Sequence, residues 1–205
     1  KYAERPALIH FEWVSFKTEK HSNECKIKPP YLFNMMKEGH KGIRRKESWK
    51  QYGLLAKHLL PTFIQTAAIC LPLLLFLISR GQIHSYLPFQ SILLTREVLA
   101  SSFPTNILGF LLIGLIWGFW EGFNYVVIAN KINCRYPSHH TWLDYGAFTC
   151  ALICLIIHGM IGLSLHAILE TLSVFILIYG MLIIQKKAGN AWGCIFIFLF
   201  IWNAF

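Results

Sequence analysis

The sequence predicts an all-α, polytopic helical membrane protein: about five transmembrane helices preceded by a basic N-terminal arm. Two observations carry this. The first is the segregation of charge. Of the 205 residues, 55% are hydrophobic and only 14% charged, and residues 1–58 hold 13 basic and 6 acidic side chains, a net +7, whereas 59–205 hold 6 and 4. A charged side chain costs several kcal/mol in hydrocarbon unless it is paired or snorkels, so the second part reads as embedded and the first as water-facing. The second observation is the length of the apolar runs. A span needs on the order of 20 apolar residues at a rise of about 1.5 Å each, and the chain supplies several.

The first span is expected over 58–79, which contains CLPLLLFLI and is stopped by Arg80-Gly81. Residues 82–103 are mixed, with Arg96-Glu97 inside an apolar surround, and read as an interfacial or re-entrant segment. Further spans are expected over 104–129, 144–169, 171–184 and 191–205. The last two are short and need tilted neighbours or a thinned bilayer. The domain division is therefore 1–57, a basic arm, and 58–205, a transmembrane helical domain.

Orientation follows from where lysine and arginine sit. The arm, the 130–144 loop with Lys131 and Arg135, and the Lys186-Lys187 turn share one side in a five-span chain, which predicts a multi-pass protein with its arm in the cytoplasm. The opposite loops carry only Arg80 and Arg96. The arm opens Lys1-Tyr2-Ala3-Glu4-Arg5 without an early apolar core, so no secretory leader is expected there. Alternation over 8–13 predicts a short strand, and Pro29-Pro30 breaks the chain before a basic helical stretch ending in Arg44-Arg45-Lys46. Anionic lipid headgroups account for such a juxtamembrane basic segment better than nucleic acid does. The six cysteines, Cys25, Cys70, Cys134, Cys150, Cys154 and Cys194, show no paired spacing, so structural disulfides are not expected.

Within the spans, Gly114, Gly118 and Gly122 recur every four residues, clearing one helix face for close approach of another helix, in this chain or a second subunit. Glu121 is the only carboxylate inside a span, and an intramembrane ionisable group is a functional candidate by default. The competing explanation is a protonated or hydrogen-bonded glutamate linking helices. Cys150, Cys154, His158, His166 and Glu170 follow at steps of four or eight, which on one helix would place them on one face. Cys150 and His158 would be about 12 Å apart along the axis, too far to share an ion, so no metal site is assigned. His158 could equally be a histidine hydrogen-bonded between helices.

From Glu121 onward the order of features resembles the CPBP family (CAAX proteases and bacteriocin-processing enzymes), which are multi-helix intramembrane proteases. That family carries Glu-Glu-x-x-x-Arg on one helix, Phe-x-x-x-His on the next and His-x-x-x-Asn on a later one. The corresponding stretches here are WEGFNYV at 120–126, CLIIHG at 154–159 and IIQKKAGNAWGCIFIFLFIWNAF at 183–205. The resemblance covers two fifths of the chain. Its departures are specific: the second Glu and the Arg are missing, Cys154 replaces the Phe, Phe198 stands where the later His is expected, and Asn203 falls one residue late.

The resemblance implies Glu121 as the base that activates water and His158 as its helper. The family chemistry also needs an oxyanion stabiliser, one of which is worth ~10²–10³ in rate. Its loss implies weakened or absent peptide-bond hydrolysis on membrane-embedded or lipidated peptides. A different function class fits the same residues: a non-catalytic structural or assembly subunit, docked to other membrane subunits through the glycine face and the arm. No cofactor is specified by any spacing.

Overall fold

The computed structural model describes residues 49–138, 140, 142–159 and 162–205. The expected strand near 8–13, the Pro29-Pro30 break and the basic helix ending at Lys46 lie outside the described residues. Residues 48–205 form one compact unit. All regular structure described is helical. A 3-10 turn, Trp49–Tyr52, leads to α1 (Leu59–Ser79), α2 (Leu94–Ala100), α3 (Thr105–Arg135), α4 (Tyr145–Ile157), α5 (Leu165–Ala188) and α6 (Trp192–Phe200).

Helices α1, α3 and α5 are long and apolar enough to cross a membrane. Their outward faces are rows of exposed aliphatic side chains: Leu60, Ile64, Leu71 and Leu75 on α1, Leu108, Leu111, Leu112 and Leu115 on α3, Ile168, Leu169, Leu172 and Ile176 on α5. At about 25 cal/mol per Å² of apolar surface, such faces are stable against lipid and not against water. The chain is a helical membrane protein.

Several boundaries differ from those expected. The first span lies where the sequence places it. The second is longer at its C-terminal end, reaching Arg135, and contains a π-helical stretch, Gly114–Trp120, between the α-helical Thr105–Ile113 and Glu121–Arg135. The expected spans 144–169 and 171–184 are redivided: α4 stops at Ile157, Gly159 takes a left-handed φ of 62°, and α5 begins at Leu165. The Ser164 side chain caps α5 by accepting from the Ala167 N–H. Gly159, Gly162 and Ser164 are stop and start signals overridden in the sequence reading by the unbroken apolar run.

The C-terminal stretch forms the nine-residue α6, about 13.5 Å long, too short to cross. It is instead the centre of the bundle: Cys194, Ile195, Ile197 and Phe198 are fully buried. Gly122 of α3 faces its backbone, and a Cβ there would stand 2.8 Å from Ile195 Cα and 2.9 Å from the Cys194 carbonyl oxygen. Gly193 of α6 meets Thr62 and Thr66 of α1 as closely. Those threonines are buried without penalty because their hydroxyls donate to the carbonyls of His58 and Thr62.

The 82–103 segment holds only α2 and irregular turns. Irregular backbone is tolerated at membrane depth where protein satisfies it, and the C-terminus does so: the Leu87 and Ser91 N–H groups donate to the Ala204 and Asn203 carbonyls. Phe89, with φ 62°, lies against Gly114 and the Phe110 ring.

Residues 49–57, counted with the arm on charge alone, pack on the helices. Trp49 stacks on Phe123 at 5.6 Å, and Tyr52 meets the same ring edge-on. Asn190, fully buried, donates to the Leu55 and Lys57 carbonyls and accepts from the Trp192 N–H. The Ala191 N–H donates to the Gly53 carbonyl at 2.8 Å.

Of the cysteines, Cys70, Cys150, Cys154 and Cys194 are free and buried. Cys134, at the end of α3, is disulfide-bonded, contrary to expectation, because spacing in sequence reveals only local pairs.

The glycine contacts give a contrast to measure. Gly122→Ala drives a methyl into α6 backbone and is expected to cost about 1–3 kcal/mol. At Gly114 the nearest atom would be the Phe89 ring at 3.7 Å, so Gly114→Ala should leave stability unchanged. Thermal unfolding in detergent, followed by labelling of the four buried thiols, checks this. Equal melting of the two variants would contradict the α3–α6 packing.

Candidate functional site

Two polar centres lie within the bundle, and they differ in how fully they are satisfied. The first contains the residues singled out from sequence. Glu121 is the first residue after the π-helical stretch of α3, a kind of irregularity often found at functional sites. Its helix packs antiparallel to α4, with Ala129 against Gly146 and the Cys150 thiol directed to the Tyr125 carbonyl. This register brings Glu121 and Tyr125, one turn apart, alongside Cys154. The Tyr125 hydroxyl hydrogen-bonds the Cys154 thiol.

His158 follows one turn beyond Cys154 as the C-cap of α4. Its Nδ1 lies 2.8 Å from the Cys154 carbonyl oxygen and 3.7 Å from the Cys154 sulfur. A carbonyl only accepts, so that contact places the proton on Nδ1 and makes Nε2 the acceptor nitrogen of the neutral ring. The ring stands edge-on to Trp202 at 5.4 Å and is exposed.

The depth of His158 is not that expected. Phe148 of α4 faces Phe175 of α5, and the Asp144 N–H donates to the Tyr179 hydroxyl. The same antiparallel register carries His158 level with Leu165, the first residue of α5. It therefore sits at one end of the α4–α5 hairpin, not mid-membrane, with Glu121 about one turn deeper. His166 belongs to α5, across the break at Gly159, so the single face of cysteines and histidines does not exist beyond His158.

Among the described residues, no hydrogen bond or ion pair joins Glu121 to His158. Phe198, where the family pattern has a histidine, is fully buried and stacks on the Tyr125 ring at 5.2 Å. The Asn203 side-chain oxygen accepts from Ser91 Oγ at 3.0 Å. Gly118 and Gly122 face α6, and Gly114 faces Phe89 and Leu199; the glycine stripe is used inside this chain. No group of three His, Cys, Asp or Glu side chains among the described residues converges as metal ligands.

The second centre was not singled out from sequence. Asp144, 2% exposed, caps α4 by accepting from the Ala147 N–H at 2.7 Å. It also accepts from Asn133 Nδ2 of α3, 2.8 Å from each carboxylate oxygen, and from Lys186 Nζ of α5 at 2.7 Å. Asn133 in turn accepts from the Gly146 N–H, and the Tyr179 hydroxyl donates to the Trp142 carbonyl. Three helices are thus tied at one carboxylate. Desolvation pushes its pKa up, but the hydrogen bonds from Lys186, Ala147 and Asn133 and the lysine charge outweigh it, and the net shift is downward. The Asp N-cap was legible as a helix-start signal; its partners on α3 and α5, 11 and 42 residues away, were not.

No protein-family model, curated protein or solved structure matches the chain.

The Asp144 cluster predicts a pH dependence with a definite sign. The folded carboxyl titrates below its unfolded value of about 3.9, so its stabilisation is complete above that value and is lost as pH falls through the folded pKa. Lys186 is 43% exposed, so water screens the ion pair, and most of the effect comes from the buried donors. Asp144→Ala, which removes the cap and orphans those donors, should cost about 2–4 kcal/mol at neutral pH. Melting curves between pH 7 and 3 should show wild type converging on the variant at the acid end. A constant gap across that range would contradict the assignment.

Proposed function

We propose that the chain is a CPBP-like, multi-pass membrane protein in which peptide-bond hydrolysis is weakened or lost, and that it acts as a non-catalytic structural or assembly subunit of a larger membrane complex. The observation that supports this best is Phe198, whose ring fills the space beside Tyr125 where the family resemblance calls for a second histidine. An aromatic ring there cannot hold water or donate to an oxyanion. Among the described residues, no hydrogen bond joins Glu121 to His158, as a base and its helper would need.

A second reading, residual hydrolysis with Glu121 as base and His158 as helper, is favoured by one feature: the His158 Nδ1 contacts Cys154, which the antiparallel register of α3 and α4 sets level with Glu121. Its substrates would be membrane-embedded or lipidated peptides.

The partners proposed are the bilayer itself, anionic lipid headgroups at the basic arm and other membrane subunits. Six of the eight Lys and Arg in 49–205 belong to one end of the bundle, which supports a cytoplasmic arm by the positive-inside rule. Labelling of a cysteine introduced at Ser138 in sealed vesicles separates this orientation from the opposite one.

The functional test uses full-length protein, purified in mild detergent, with a prenylated peptide and with a membrane-spanning peptide as substrates. The expected outcome is no cleavage above the Glu121→Gln variant, together with stoichiometric co-purification of a membrane partner. Cleavage by wild type that Glu121→Gln abolishes would overturn the non-catalytic reading.

A further inference from the structure

The bundle has two chemically different ends, and the difference persists when the arm is set aside. At the end where α1 begins and α3 and α5 finish lie Lys50, Lys57, Lys131, Arg135, Lys186 and Lys187. Among the described residues, the acid at that end is Asp144, which is buried and whose oxygens are occupied by Asn133, Lys186 and Ala147. At the opposite end Arg80 and Arg96 are balanced by Glu97 and Glu170.

The basic end also has the form of a surface held at a headgroup layer. Trp49, Tyr136, Trp142 and Tyr145 are exposed there, and tryptophan and tyrosine collect at the membrane–water interface because their rings are apolar with one polar group. Lys57 and Lys187 are exposed, and Asn190 anchors the Lys57 carbonyl to the turn that follows Lys187. The N-terminus of α1 opens beside them: its N-cap, His58, makes no side-chain capping bond. Backbone N–H groups at a helix start favour an anion.

We propose that this end of the folded unit, centred on Lys57, His58 and Lys187, binds the phosphate of anionic glycerophospholipids in the adjoining leaflet, independently of the basic arm. Charge complementarity selects the occupant. The patch carries excess positive charge, it is bordered by an aromatic collar, and it adjoins the outward aliphatic faces of α1 and α5, which suit the acyl chains of the same lipid. A soluble phosphate would use the charge but not the collar or those faces.

The test is photo-crosslinking of the full-length protein, reconstituted in vesicles, with a phosphatidylglycerol probe bearing its photoreactive group near the headgroup. Adducts are expected on peptides covering 49–58 and 186–192. Excess phosphatidylglycerol should compete at least fivefold better than phosphatidylcholine, glycerophosphate or inorganic phosphate. The double variant Lys57→Gln/Lys187→Gln should reduce adduct yield at those peptides severalfold with its melting temperature unchanged, while Arg80→Gln/Arg96→Gln should not reduce it. Adducts confined to residues 1–47, equal capture of a phosphatidylcholine probe, equal competition by inorganic phosphate, or full capture by the lysine variant would each overturn the proposal.

Discussion

The close approach of α6 to α1 and α3 is the constraint on which the rest of the bundle depends. A nine-residue helix cannot cross a bilayer, and its polar ends must be satisfied by protein. It can be central only where its neighbours leave room for backbone against backbone. Gly122 supplies that room on α3, and Gly193 supplies it from α6 itself against Thr62 and Thr66. Packing at this distance replaces the hydrophobic driving force that lipid does not provide. The fully buried Ile195, Ile197 and Phe198 follow from it, as does the role of Asn190. That residue ends the α5–α6 turn and fastens residues 55–57 to it, so the entry into the first span and the start of the last helix become one structure.

The two polar centres show opposite solutions to placing a carboxylate in such a bundle. Asp144 is surrounded by donors from three helices, with every oxygen used, and the arrangement holds those helices at a fixed separation. A carboxylate so fully engaged has no capacity left for chemistry. Glu121 lacks donors among the described residues and lies beside Tyr125 and Cys154, with His158 a turn further towards the end of the hairpin. An acid left unpaired costs stability, which a purely structural role would not require. Its surroundings nevertheless lack what hydrolysis needs, because Phe198 of α6 packs on Tyr125 and the Asn203 side chain beyond α6 is engaged by Ser91. The centre is therefore polar and accessible from one end without being equipped to stabilise an oxyanion.

Much of the architecture was legible in the sequence because bilayer thickness imposes a length on apolar runs. The first span could be placed almost to the residue, since Arg80-Gly81 ends it sharply. Where apolarity continued through a turn, as at His158 to Ser164, the length rule misled, although glycine and the serine cap marked the break. The C-terminal run was read as a span on the same ground, since composition does not separate a helix facing lipid from one buried among helices. Glu121 and His158 stood out because ionisable residues are rare in apolar segments. Their neighbours Tyr125, Phe198 and Trp202 did not, being ordinary members of such runs.

The sequence by itself determined the chain's helical class, its first span and its division of charge, because those properties depend on the transfer of side chains between water and lipid, residue by residue. The tertiary structure alone decided which helices meet, that α6 is interior, that the glycine stripe is spent within the chain, and that Asp144 rather than Glu121 is the saturated carboxylate. Those outcomes rest on contacts between residues far apart in the chain, such as Asp144 with Lys186 and Gly122 with Ile195. Side-chain composition does not specify such pairings; the register of one helix against another does.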